Sequence, residues 1–322
     1  MTISAVPSPD QTGDGRPRVL TASQVRELLT WPELIETTRQ ALIALATPDG
    51  APAGSSSQVA VPGASLHLKA GALLDPPILS VKANLRPDRG SSTGAILAFD
   101  HHEQRLTAII ASADITAMRT GAIAAVAADC LLADRSPVIA LVGAGPVARS
   151  ALRAIRHLFA PANVRVWSRD PEHADRFAGE EQGCTVTASV AEAARGAGLV
   201  ITCTPAREPL LFTRDLSEGT VVLAMGADTP GKRELGPGVL DGADVLVDVL
   251  NDALLVGECA YLQDGSAAVR HIGQLAQHPR PDSVKHLTVF DSVGSSAVDA
   301  AAIALLLTRA NQADIGARLD LA

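Results

Sequence analysis

Val138-Ile139-Ala140-Leu141-Val142-Gly143-Ala144-Gly145-Pro146-Val147-Ala148 is the stretch on which the fold turns. Five apolar residues without a break predict a strand buried on both faces. The glycines that follow match G-x-G-x-x-G/A, the turn between the first strand and first helix of a dinucleotide-binding unit. Gly143 allows the tight turn, and Gly145 lets the backbone approach a pyrophosphate. Ala148 is small enough for helix–strand packing. The free N–H groups of Ala144, Gly145 and Val147 and the positive end of the helix then suit phosphate, with Pro146 fixing the first helical position. Alone the hexapeptide is a weak signal. Here a strand precedes it, a helix follows to about Phe159, and a second strand is expected at 164–167. The competing reading is a fold of this type that has lost its ligand.

Outward from this stretch, further strands are expected at 185–187, 199–204, 220–225 and 244–247, alternating with helices. Such a pattern predicts a parallel sheet covered on both faces. Upstream the character changes at Asp114, and 115–132 is Ala-rich with helical spacing. Before it, short strand-like runs at 66–69, 78–83, 94–100 and 106–112 predict a small antiparallel sheet. Two capping boxes, Thr21-Ala22-Ser23-Gln24 and Thr30-Trp31-Pro32-Glu33, predict two helix starts. The second helix presents Leu34, Thr38, Ala41, Leu42 and Leu45 on one face and stops before Pro48-Asp49-Gly50. Residues 48–63 are expected to form a loop. An apolar helix at 296–310 is expected to return to the N-terminal domain. The fold class is therefore α/β: a Rossmann-type doubly wound sheet over 115–295, plus a smaller α+β domain from 19–114 and 296–322. Residues 1–18 are expected to be a disordered leader.

Composition narrows the partners. The chain has 322 residues, 27 Lys plus Arg against 35 Asp plus Glu, and a formal net charge of −8. An acidic balance without a basic stripe argues against nucleic acid. Only 2% of residues are aromatic, which leaves few platforms for stacked bases. Cys130, Cys184, Cys203 and Cys259 form no C-x-x-C pair, so neither a zinc site nor a redox motif is signalled. No apolar run is long enough to span a membrane. The expectation is a soluble cytoplasmic protein without a metal.

The end of the second strand reads Val166-Trp167-Ser168-Arg169-Asp170. An acid there would bind the ribose 2′-hydroxyl of NAD. Ser168 stands in its place and Arg169 follows, a pair suited to a 2′-phosphate. NADP(H) is therefore expected in preference to NAD(H). The other reading is an ordinary solvated turn with Asp170 on the ribose.

Three stretches together resemble the ornithine cyclodeaminase/mu-crystallin family. They are Gly143-Ala144-Gly145, Ile115-Thr116-Ala117-Met118-Arg119-Thr120 and Met225-Gly226-Ala227-Asp228-Thr229-Pro230-Gly231-Lys232-Arg233-Glu234-Leu235. Val256-Gly257-Glu258 and Ser292-Val293-Gly294 fit as well, and the resemblance runs from about Leu20 to about Ala310. It implies an N-terminal substrate and dimerisation domain beside an NAD(P)-binding domain, in a homodimer. It also implies hydride transfer between nicotinamide and the Cα of an amino acid or its imine.

The resemblance assigns the site residues. The family's matching Lys contacts the substrate carboxyl group, here Lys82; a Lys within a strand could also simply face solvent. Arg119 can bind a carboxylate in a bidentate way, or serve as a structural ion pair. Asp228 follows a parallel strand and could exchange a proton with the substrate amine, or be a turn residue before Pro230-Gly231. Further cofactor contacts are implied for Thr120, Thr204, Met225, Gly226 and Lys232, and a substrate contact for Val293. One departure stands out. The family usually carries an Arg upstream of the Lys strand, whereas 54–59 here reads Gly-Ser-Ser-Ser-Gln-Val. His67 or Lys69 could substitute, or simply line a polar strand face. Ornithine itself is thus an unsafe assignment. The expected activity is amino acid dehydrogenase or imine reductase. The alternatives are cyclodeamination of a diamino acid with internally recycled cofactor, and non-catalytic NADP(H) binding.

Overall fold

The structure, a computed structural model, describes residues 15–47, 54–87, 92–262, 268–277 and 286–321. It begins with strand β1 (Arg18–Leu20), helices α1 (Ala22–Leu28) and α2 (Trp31–Leu45), then strands β2 (Ser55–Val61), β3 (Ala64–Leu73), β4 (Ile78–Pro87), β5 (Thr93–Asp100) and β6 (Arg105–Ala111). Helix α3 (Ser112–Leu131) leads into an alternating series. This comprises β7 (Val138–Val142), α4 (Pro146–Ile155), β8 (Asn163–Trp167), α5 (Pro171–Glu180), β9 (Cys184–Val186), α6 (Val190–Ala194), β10 (Leu199–Thr202) and β11 (Val221–Ala224). It continues through β12 (Asp244–Val247), α7 (Leu250–Val256), β13 (Val269–His271), α8 (Gly273–Ala276) and β14 (Thr288–Asp291). Helix α9 (Ser296–Ala313) and strand β15 (Ala317–Arg318) close the chain.

Two compact units result, residues 1–119 with 295–322 and residues 120–294. The first division falls inside α3. The change of character at Asp114 marks where that helix begins, not where the units part.

The second unit holds an eight-stranded sheet in the order β13-β12-β14-β11-β10-β7-β8-β9. Every neighbouring pair in it is parallel. Strands β7, β10, β11 and β14 are almost wholly buried, as unbroken apolar runs covered on both faces must be. The six expected strands are present, with ends displaced by up to two residues. Strands β13 and β14 were not expected. Each has a polar or charged member in a run of three or four, so neither stands out as apolar. Helix α4 ends at Ile155, before Phe159.

The first unit holds a seven-stranded sheet in the order β15-β1-β6-β5-β4-β3-β2. It is larger than the short runs suggested, because β3 and β4 each extend to 10 residues. It is also mixed, since β1 pairs parallel with β6. Residues 55–61 are an edge strand rather than a loop, paired antiparallel with β3. Backbone pairing makes that strand; its Ser-rich, exposed side chains carry no alternation to announce it. Residues 1–14 and 48–53 of the expected leader and loop lie outside the described residues. Arg18, however, belongs to β1 and is buried, donating to the Ile315 carbonyl at 2.5 Å.

The capping box at Thr21 forms in full. The one at Thr30 does not, because its hydroxyl donates to Glu33 Oε2 at 2.6 Å and caps no backbone N–H.

Strand β4 is reversed relative to an ordinary half-buried strand. Ile78, Ser80, Lys82 and Asn84 are turned inward, while Leu79, Val81 and Leu85 are 45%, 37% and 42% exposed. Val59 and Val61 on β2 and Leu97 on β5 are exposed as well. Helix α9 packs on β3, β4 and α2, so the polar face of the sheet lies under it. The helix comes in close at its first turn: a Cβ on Gly54 or Gly71 would collide with Ser296.

Candidate functional site

In the first unit the strand register lines up Ser56, Lys69 and Lys82 across β2, β3 and β4. Lys82 is 7% exposed, so it does not face solvent. Its Nζ lies 2.7 Å from Asp299 Oδ2 on α9. Arg119 Nε, from α3, lies 2.7 Å from Asp299 Oδ1. That N–H is not aimed at the oxygen, so the contact is ionic and Nε makes no hydrogen bond. Burial draws Lys82 down to about 7; repulsion from Arg119 and Lys69 adds to this, and Asp299 only partly offsets it. For Asp299, burial alone would raise the pKa. Arg119, Lys82 and Lys69 outweigh burial and hold it at about 2.

Asp299 escaped the sequence reading. It is the lone acid in the apolar stretch 296–310. A carboxylate buried without a cation is costly, so an isolated acid in such a helix signals a buried partner. His67 sits on the same inward face as Lys69, its Nε2 2.8 Å from Ser65 Oγ. Its cross-strand neighbours are Gln58 and Asn84, and Asn84 Oδ1 accepts from Ser112 Oγ at 2.5 Å.

In the second unit, Gly143 has φ +115°, and a Cβ there would stand 2.8 Å from the Cys203 carbonyl oxygen. Glycine is required for that turn. Gly145 is the N-cap of α4 and has no side chain to satisfy the first-turn N–H groups. A Cβ on Gly145 would meet nothing within 4 Å, so the turn opens onto free space. Donors without an internal cap, beside open space at a helix N-terminus, fit a dinucleotide pyrophosphate. Pro146 occupies the first helical position, Ala148 is buried against the sheet, and Ala144 and Val147 are half-buried. At the end of β8, Ser168 is half-buried and Arg169 exposed. Asp170 Oδ1 accepts from Glu172 N at 3.1 Å and caps α5, so that oxygen is already used.

Asp228 follows β11, 28% exposed in its side chain, with Lys232 Nζ 2.6 Å from its Oδ1. Lys232 also donates to the Gly226 carbonyl at 3.3 Å. Glu234 turns inward and accepts from Thr202 Oγ1, Thr204 N, Thr204 Oγ1 and Gly226 N at 2.6–2.9 Å. Burial raises its pKa against those four bonds. Thr204 is thereby committed to Glu234. Glu258 accepts from the Glu234 and Leu235 N–H groups, at 2.5 and 3.2 Å. Asp248 accepts from Ser292 Oγ, Val293 N and Gly294 N. Val293, Met225 and Thr120 are buried. These acids fix the backbone on which Gly226, Asp228 and Val293 ride. Glu234 lies inside the quoted motif, and its role shows only through its burial.

Among the described residues, no cluster of three or more His, Cys, Asp or Glu could hold a metal ion. No helix among them is long and apolar enough to cross a membrane.

The ornithine cyclodeaminase/mu-crystallin family profile matches residues 82–314. The ketimine reductase mu-crystallin of Rattus norvegicus is 34% identical over 217 residues, 67% of this chain and 69% of that protein. An archaeal alanine dehydrogenase dimer solved with bound NAD superposes with a TM-score of 0.86 at 22% identity, covering 95% of this chain and all of that one. Thermococcus litoralis Δ1-pyrroline-2-carboxylate reductase, in complex with NADH and L-proline, also gives 0.86, at 23% identity over 94% and 100% of the two chains. The extent of the profile match and the identity to the rat protein establish that this chain belongs to the ornithine cyclodeaminase/mu-crystallin family.

Proposed function

We propose that the protein is an NAD(P)-dependent oxidoreductase acting on a carbon–nitrogen bond, as an imine reductase or amino acid dehydrogenase. The observation that carries this reading is the buried Lys82–Asp299–Arg119 cluster, in a chain that also has an open Gly143–Ala148 turn. The relatives named for ketimine reduction and for reduction of a cyclic imino acid support the same chemistry.

The Gly143–Ala148 turn would hold the pyrophosphate. Ser168 and Arg169 would receive a 2′-phosphate, which favours NADP(H) over NAD(H). When bound, the nicotinamide supplies or accepts a hydride at the substrate carbon attached to nitrogen. Arg119 and Lys82 would hold the substrate carboxylate, Arg119 through its planar fork and Lys82 as a point charge. Asp228 would exchange the proton on the substrate nitrogen, with Lys232 Nζ held 2.6 Å from its Oδ1. The exposed apolar residues Val59, Val61, Leu79, Val81, Leu85 and Leu97 would be covered by a second copy of the chain, giving a homodimer.

A screen of cyclic and acyclic 2-imino acids with NADPH and NADH, and of amino acids with the oxidised cofactors, tests the reading. Nicotinamide absorbance and ammonia are followed together. Net cofactor turnover is expected. Ammonia release from a diamino acid without net cofactor change would instead indicate cyclodeamination.

A further inference from the structure

We propose that Asp299 is a positioning residue: it holds Lys82 and Arg119, one at each carboxylate oxygen, and so builds a two-cation clamp for the substrate carboxylate. The inference rests on the reading of this unit as the substrate-binding one and adds the residue that makes it work.

The geometry is symmetrical about Asp299. Oδ2 takes Lys82 and Oδ1 takes Arg119, both at 2.7 Å. All three side chains are at least nine-tenths buried. They come from three elements far apart in sequence, β4, α3 and α9. Two cations on separate elements in a buried site would repel each other apart. An anion between them fixes their spacing, and each retains donors for a second anion. Arg119 Nε makes no well-aligned hydrogen bond. The guanidinium carries five N–H donors in a planar fork, more than one carboxylate oxygen can use.

The approach of α9 depends on Gly54 and Gly71, which leave room for Ser296 one turn before Asp299. The charged groups facing Lys82 are Asp299 from α9, Arg119 from α3 and Lys69 from β3, whereas its β5 partner is Ile96. Among the described residues, Asp299 is thus the acid that opposes Lys82 and Arg119. Without its charge, Lys82 would lose its proton more easily and the clamp would weaken.

The chain has only four lysines, Lys69, Lys82, Lys232 and Lys285. Lysine-labelled NMR of the full chain therefore reads Lys82 directly, without any substrate. In ligand-free protein, Asp299→Asn is expected to lower the Lys82 midpoint by about one unit or more. The KM for Δ1-pyrroline-2-carboxylate, or the Kd for L-proline with cofactor present, is expected to rise about tenfold or more, with kcat changing less. Asp299→Glu keeps the charge but moves it by one methylene. It should preserve the Lys82 midpoint and still weaken carboxylate binding, and it serves as the test if Asp299→Asn does not fold.

An unchanged Lys82 midpoint in Asp299→Asn overturns the proposal. So does Asp299→Glu with wild-type carboxylate affinity. A Lys82 signal that responds to Asp299→Asn, yet is blind to both carboxylates in the wild type, overturns the clamp. That last result makes the triad purely structural and removes the substrate-site reading with it.

Discussion

Asp291 and Asp299 lie eight positions apart, one ending β14 in the second unit and the other near the start of α9 in the first. Both are buried, at 0% and 4% exposure. Asp299 faces Arg119, Lys82 and Lys69 and is held at about 2. Asp291 faces backbone N–H groups and further acids; burial dominates and pushes it to about 7. Nearby Glu258 is pushed to about 8 for the same reason. Burial is common to both regions, so burial is not what separates them. The first unit surrounds its acid with cations, which hold it ionised. The second uses Asp291 and Glu258 to tie loop backbones together, and protonated acids suit that task.

The sharpest test of this contrast is Asp228, an acid of the second unit that is 28% exposed in its side chain and paired with Lys232. Asp228→Asn keeps shape and hydrogen bonding but removes the titrating group. Turnover is expected to fall roughly 10²–10⁴-fold, with cofactor affinity little changed. Steady-state kinetics beside a cofactor titration checks it. An equal loss of turnover in a well-folded Asp291→Asn would erase the distinction between the two kinds of acid.

The next largest effect is on stability against pH. Asp291 and Glu258 keep protons in the folded chain that the unfolded chain releases near 3.8 and 4.5. Their contribution is therefore full in acid and lost as pH rises toward about 7 and 8. Asp299 has the opposite sign. Its contribution is present above 3.8 and is lost as pH falls through about 2. Urea denaturation across that pH range, with Asp291→Asn as control, should show a decline toward neutral pH that the variant reduces. A profile identical in both proteins contradicts the assignment.

Smaller effects are expected at the surface. Arg169→Asp should weaken NADPH binding by about 1–3 kcal/mol, since a charged hydrogen bond is lost and repulsion added. Equal affinity for NADH and NADPH in the wild type would refute the reading of Ser168 and Arg169. The smallest change in subunit stability is expected for Val81→Lys on the outward face of β4, within about 0.5 kcal/mol. Light scattering should nevertheless show monomers where the wild type forms dimers. A dimer that survives the change would leave that apolar face without its proposed cover.

Legibility in the sequence followed the same division. The strands of the second unit announce themselves because buried parallel strands are unbroken apolar runs, as in 138–142 and 199–202. Strand β14 hid because Thr288 and Asp291 flank a core of only Val289 and Phe290. In the first unit the alternation is readable, but its sense is inverted. A polar residue pointing inward looks, in sequence, like one pointing out. Lys82 and Arg119 were therefore visible through the family motif, whereas their common partner Asp299 lies 217 residues from Lys82 and only the fold joins them. Strand β2 was invisible for another reason: seven exposed residues bear no trace of the pairing that makes them a strand.

The place of β14 in its sheet has a consequence for synthesis. It is the last strand of the second unit in chain order, yet it lies between β11 and β12. On the ribosome, β7 to β11 can assemble first, but β11 then presents an open edge until residue 291 has emerged. At ordinary elongation rates that interval lasts several seconds. During it the apolar run Val221–Ala224 is an unprotected template for pairing with other nascent chains. A chaperone holding the growing chain over this interval would raise the yield of native protein. Truncations ending before Thr288 would retain the dinucleotide turn and still aggregate.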